Sequence, residues 1–98
     1  MRAKLDKISE TEFSLSGDLT FITTTLLYKQ SCEQFNQKAD QLIIDLKAVE
    51  HSDSAGLALI VEWYRVAKMN NQSLKVLNMP KQMSDLAELS SVNKLLKE

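Results

Sequence analysis

His51, Asp53 and Ser54 stand within four positions of one another and supply the three side-chain types of a nucleophilic hydrolase. In such a site an imidazole takes the serine proton while a carboxylate holds the ring in place. The spacing does not serve that chemistry. His51 is the only histidine, it lies three residues before the serine, and no oxyanion loop or nucleophile elbow surrounds the pair. It reads as an exposed turn residue. One His and one Cys fall short of a metal-ligand set, and Glu10, Glu12 and Asp18 lack calcium-loop spacing. Neither GxxxxGK[ST] nor GxGxxG occurs, which argues against a phosphate-cradling loop. No catalytic residue, cofactor or metal is therefore expected.

Asp53 and Ser54 have a second use, because they stand where a helix begins. Either side chain can accept from the free N–H groups of the first turn, an effect worth about 1 kcal/mol. Capping accounts for Ser54 structurally. The functional alternative makes Ser54 a docking or phosphorylation residue. A phosphate there would be tolerated by the helix dipole. It would add about −1.5 to −2 charge and obstruct a close-fitting partner. Both readings stay open at this level.

The helix entered at Ser54 is predicted to continue to about Asn70. At about 100° per residue, Gly56, Leu59, Ile60, Trp63 and Ala67 share one side, with Leu57 and Tyr64 at its edge. This is the expected core face. Ser54, Ala58, Glu62 and Arg65 occupy the opposite side, flanked by Ala55, Val61 and Lys68. The outer face starts small and weakly apolar, then becomes charged. Small residues let another surface approach closely, and flanking charges set its orientation. A plain solvent-facing helix with helix-favouring alanines fits the same pattern.

The elements that must hold this helix follow from period and punctuation. Glu12 to Ser16 alternates polar and apolar residues, as a half-exposed strand does, and Gly17 is expected to end it in a turn with Asp18. A weaker strand precedes it around residues 3–8. Leu19 to Thr25 is rich in β-branched residues and reads as a poor helix start. From about Thr24 to Lys38, Tyr28, Cys32 and Phe35 mark a helical stripe. Leu42 to Leu46 reads as a buried central strand. Asn70 to Gln72 is a polar turn, and Leu74 to Leu77 is another strand. Pro80 suits a first helical turn, followed by Met83, Leu86, Ala87 and Ser90 at helical spacing. Met79 and Met83 are core filler, and Val92, Leu95 and Leu96 would pack the tail onto the body. Alternation of strands and helices predicts a single α/β domain over 1–98: a mixed sheet of four to five strands packed by three or more helices.

Composition narrows the function classes. The 98 residues are 44% hydrophobic and 26% charged, with a net charge of −1. No basic stripe or basic–aromatic interleaving supports nucleic-acid binding. The single cysteine, Cys32, fits a reducing compartment. The first residues lack an apolar signal core, and the longest apolar run, Leu57 to Val61, is too short to span a bilayer. A cytoplasmic location is expected, with any membrane association made through a partner.

Three stretches in order, Ser16-Gly17-Asp18-Leu19, Leu42-Ile43-Ile44-Asp45-Leu46 and Asp53-Ser54-Ala55-Gly56-Leu57, resemble the STAS family. That family is shared by anti-sigma-factor antagonists and sulfate-transporter tails. The run from Asp53 to Trp63, with Ala67, Leu74, Pro80-Lys81-Gln82 and Leu86 to Leu89, is similar to the STAS subunit of Mla-type phospholipid-transport ABC complexes. The resemblance implies a non-catalytic accessory subunit that binds the cytoplasmic ATPase, and through it the inner-membrane permease, in maintaining outer-membrane lipid asymmetry. It places Ser54, Ala55, Ala58, Glu62 and Arg65 at the ATPase-facing surface, with Asp53 and Gly56 shaping the loop. The runner-up that it implies is an anti-sigma-factor antagonist switched by phosphorylation of Ser54. Ala55 stands where antagonists commonly carry a second serine, a departure that leans toward transport.

Overall fold

The computed structural model describes residues 3–89. Seven elements follow in order: β1 (Lys4–Lys7), β2 (Glu12–Leu19), α1 (Phe21–Gln34), β3 (Gln41–Ser52), α2 (Ser54–Met69), β4 (Ser73–Leu77) and α3 (Lys81–Leu89). The sheet order is β1-β2-β3-β4. β1 and β2 pair antiparallel. Their turn is closed by the Ile8 and Ser9 N–H groups donating to the Glu12 carbonyl. β2–β3 and β3–β4 pair in parallel, so each connection must cross over, and α1 and α2 make the crossings.

Burial alternates along β2: Phe13, Leu15, Gly17 and Leu19 point inward, while Glu12, Ser14, Ser16 and Asp18 are half-buried. One sheet face thus carries the helices and the other meets water. The core joins Phe13, Leu15, Ile44 and Leu46 of the strands to Ile60 and Trp63 of α2 and Met83 of α3. The Phe35 ring lies 4.7 Å from Phe13 and 5.4 Å from Trp63. Trp63 Nε1–H donates to Ser31 Oγ at 2.8 Å, so the buried indole keeps a hydrogen-bond partner, as buried tryptophans usually do.

α2 follows its predicted wheel: Gly56, Leu57, Leu59, Ile60, Trp63 and Ala67 are buried. Several other expectations are corrected. Gly17 does not end β2. It lies inside the strand at φ 88°, a conformation open to glycine. There the β2–β3 register shifts between Gly17 and Asp18. A second shift falls between Ser14 and Ser16. In both places β3 carries one extra residue, as bulges do.

α1 starts earlier than predicted and ends earlier, at Gln34. Thr20 and Thr23 form a reciprocal capping box, which outweighs the low propensity of the β-branched run. The buried stripe of α1 is Thr24, Leu27 and Ser31, while Cys32 is exposed. Of the expected stripe, Tyr28 and Phe35 are half-buried against the core, Phe35 as the residue that caps the end of α1, and only Cys32 faces away. Pro80 precedes α3, and its carbonyl accepts from Ser84 N–H at 2.9 Å. His51 is exposed but belongs to the end of β3, not to a turn. The expectations for Ser90, Val92, Leu95 and Leu96 lie outside the described residues.

Candidate functional site

β3 passes into α2 through a single residue. Asp53, at φ −96° and ψ −167°, is the cap: its side chain accepts from Ala55 N–H at 2.8 Å. Its own N–H donates to the Leu19 carbonyl at 3.1 Å, and its carbonyl accepts from Gly56 N–H at 3.0 Å. Ser52 Oγ–H donates to the same carbonyl. The two capping candidates are thereby separated. Asp53 does the capping, and Ser54 is left exposed with no hydroxyl partner among the described residues.

Gly56 fixes how closely the helix meets the sheet. A Cβ there would lie 2.0 Å from Ser52 Oγ and 2.9 Å from Leu19 Cβ. The second contact is too near the backbone to be relieved by a side-chain rotation. The first turn of α2 therefore lies directly against the ends of β2 and β3, and this contact sets where Ser54 projects.

Beyond that turn, α1 and α2 leave an open groove of about 600 Å³ between them. Phe21, Thr25 and Tyr28 form one wall; Ser54, Ala58 and Glu62 form the other. Ser54, Ala58 and Arg65 are exposed, while Ala55 and Glu62 are half-buried. The structure thus brings all five sequence-predicted contact residues to one side of α2, at or beside one concavity. Ala58 puts no bulk into the groove, so its middle stays open.

Charge is concentrated toward the far end. Arg65 Nε donates to Glu62 Oε1 at 3.0 Å and its Nη2 donates to Glu62 Oε2. Hydrogen bonding from Arg65 is the main cause holding the Glu62 carboxyl below its usual range, with a smaller contribution from the Tyr28 hydroxyl. Arg65 is pushed up in turn by Glu62. Arg65 Nη1 also donates to Met69 Sδ at 3.3 Å, which holds the guanidinium along the helix. Burial, then Cys32 and Glu62, raise the Tyr28 phenol.

Around Ser54 the side chains of a hydrolytic triad are not brought together among the described residues. His51 Nδ1 lies 3.9 Å from Asp18 Oδ1, its partner across the β2–β3 pair, and makes no hydrogen bond to Ser54 among the described residues. No group of three metal-ligating side chains occurs among them either. Among the described residues no helix is long and apolar enough to cross a membrane.

Sequence reasoning missed one part of the surface. Phe21, Ile22 and Leu26 at the start of α1 are 78%, 75% and 64% exposed. Phe21 and Ile22 fall in the run expected to be a poor helix start, and Leu26 in the expected helix but off its apolar stripe. The Thr20-x-x-Thr23 spacing was the signal that could have made them helical.

A one-faced, mixed four-stranded sheet with a helix entered directly from its central strand defines an interaction domain of the STAS class. The model of the family described as "Mlab, STAS domain" matches residues 6–97, and the chain belongs to that family. No curated protein matches significantly. Among solved structures, the anti-sigma factor antagonist SpoIIAA in its unphosphorylated form is similar, with a TM-score of 0.73 at 14% identity over 95% of this chain and 84% of that one. An anti-sigma factor antagonist from Mycobacterium paratuberculosis gives 0.73 at 18% identity, over 97% and 81%. The crystal structure of Mglu gives 0.65 at 15% identity; the match covers 80% of this chain and only 20% of that one. At these identities the likenesses establish the fold.

Proposed function

We propose that this chain is a non-catalytic accessory subunit that docks on the cytoplasmic ATPase of an Mla-type phospholipid-transport ABC complex, supporting its assembly and activity. The observation that carries the reading is the uncapped, exposed Ser54 at the head of a small-residue wall, Ala55 and Ala58, ending in the fixed Glu62–Arg65 pair. The family match supports the transport assignment. In this reading the domain stays in the cytoplasm and meets the inner membrane only through its partner.

Binding of the purified ATPase subunit, measured by calorimetry, tests it. Ala58→Arg should weaken binding at least tenfold, which corresponds to about 1.4 kcal/mol, while its circular dichroism spectrum stays that of the parent. Equal binding by parent and Ala58→Arg would move the interface elsewhere.

A second reading is favoured by the two anti-sigma-antagonist folds and the accessible Ser54 hydroxyl. Here the chain is an antagonist switched by phosphorylation at Ser54. Incubation with a cognate serine kinase and ATP should then add one phosphate to the intact mass, lost in Ser54→Ala. An unchanged mass would remove this reading.

A further inference from the structure

Arg65 has a second neighbour besides Glu62, and that neighbour carries chemistry of its own. Nε and Nη2 are engaged by the two oxygens of Glu62, while Nη1 donates to Met69 Sδ at 3.3 Å. Four residues apart, Arg65 and Met69 share one face of α2. Met69 is the last residue of that helix and is 69% exposed. The other methionines of the described residues are shielded: Met79 is half-buried and Met83 is fully buried.

An exposed methionine sulfur is open to oxidation by peroxides. The sulfur lone pair attacks one peroxide oxygen, an S–O bond forms and the O–O bond breaks. The proton left on the transferred oxygen passes to the departing hydroxide, giving sulfoxide and water. Sulfur loses two electrons and the peroxide gains them. In a core the product disrupts packing, because a polar group now stands among apolar ones. At Met69 no core packing is lost.

The surroundings decide what becomes of the new oxygen. The C-terminus of α2 carries partial negative charge, which repels an electron-rich sulfoxide oxygen unless a cation holds it. Lys68 lies about 100° round the helix, on another face. Nη1 of Arg65 already stands against the sulfur. A thioether is a weak acceptor, from which a guanidinium can swing to a carboxylate of a partner. A sulfoxide oxygen makes a charge-assisted bond instead, and keeps it.

We propose that Met69 is a reversible oxidation site for peroxides, in which the sulfoxide oxygen captures Arg65 Nη1 and ties the guanidinium down along α2. Oxidation thereby withdraws Arg65 from the docking surface. That consequence rests on the docking reading above; the oxidation and the capture do not.

The test uses the Cys32→Ser protein, which removes the one thiol of the chain, and hydrogen peroxide. Trypsin places Met69, Met79 and Met83 in separate peptides, 69–75, 76–81 and 82–94. The first should gain one oxygen before the other two, and methionine sulfoxide reductases of both epimer specificities should remove it. Oxidation should leave the urea midpoint undiminished while Arg65 is present, and lower it in Arg65→Ala. The oxidised protein should bind the purified ATPase subunit roughly tenfold more weakly, the loss expected of one charged hydrogen bond, and the reductases should restore binding. Met69→Leu should bind equally before and after peroxide. Equal oxidation of the three peptides, or an equal fall in midpoint with and without Arg65, would overturn the inference. Unchanged ATPase binding by the oxidised protein would overturn its effect on docking. Failure of the untreated protein to bind the ATPase would instead overturn the docking function, with the mass and midpoint results still deciding the site.

Discussion

Asp53 and Ser54 are adjacent and chemically similar as caps, yet the fold uses them differently. Asp53 holds the Ala55 N–H, and Ser54 holds nothing among the described residues. Asp53→Ala should therefore cost about 1 kcal/mol in urea unfolding, whereas Ser54→Ala should stay within about 0.5 kcal/mol. Equal losses would mean that the serine shares the cap. Gly56 gives a sharper test. Glycine-to-alanine changes inside helices ordinarily stabilise. Here the added methyl meets Leu19 Cβ at 2.9 Å, and Gly56→Ala should destabilise by about 1–3 kcal/mol. A stabilised variant would refute the close packing of α2 on the strand ends. Ser31 Oγ accepts from the Trp63 indole. Removing it in Ser31→Ala should cost about 1–3 kcal/mol, read by the fluorescence of the single tryptophan during unfolding.

At the level of elements, what could be read in advance followed from the strength of the local pattern. α2 was legible almost residue by residue, because its six buried positions keep a clean helical period and its cap is an aspartate. The Ser54 face was legible for the same reason. α1 was not, since its first turn combines β-branched residues with a cap made by two threonines, and a pattern of propensities cannot see a reciprocal hydrogen bond. β3 was recognised only as Leu42 to Leu46. Its second half carries two inserted residues, which break the alternation that betrays a strand. The link after β4 shows a further local device. Asn78 adopts φ 56°, and its amide donates to Asp45 Oδ1 at 2.9 Å. That bond, followed by the Lys47 N–H, holds the Asp45 carboxyl below its usual range. A carboxyl depressed in the folded state adds stability above its unfolded pKa of about 4, and loses that contribution as pH falls through the folded value. The stability gap between the parent and Asn78→Gly should therefore be largest near neutral pH and shrink below about pH 4. Asn78→Ala should be about 1 kcal/mol worse than Asn78→Gly, because alanine resists the left-handed backbone. A pH-independent gap in urea midpoints would deny the Asp45 contact its role.

At the largest scale, the governing fact is that one sheet face and the three helices of the described residues share one core. Phe13, Phe35 and Trp63 link strand, loop and helix in one aromatic chain, so among the described residues no element has a separate apolar cluster to keep it folded alone. Unfolding should be two-state: far-UV dichroism, dominated by helices, and Trp63 fluorescence should give the same urea midpoint. Separate midpoints would show that α1 or α3 detaches before the sheet. The α/β class and a sheet of four to five strands were legible in the sequence, and four strands are found among the described residues. The apolar crest of α1 was not, because exposure of a large side chain depends on what the fold leaves uncovered.

β3 outruns its neighbour. Its ladder with β4 stops at Asp45, so residues 46–52 pair with β2 on one side and with no strand on the other among the described residues. A bare ribbon of that length would recruit like strands and seed fibrils. The two inserted residues warp it, and exposed Lys47 and Glu50 set charges along it. The long strand can thus deliver the chain to the head of α2 while resisting growth into cross-β assemblies.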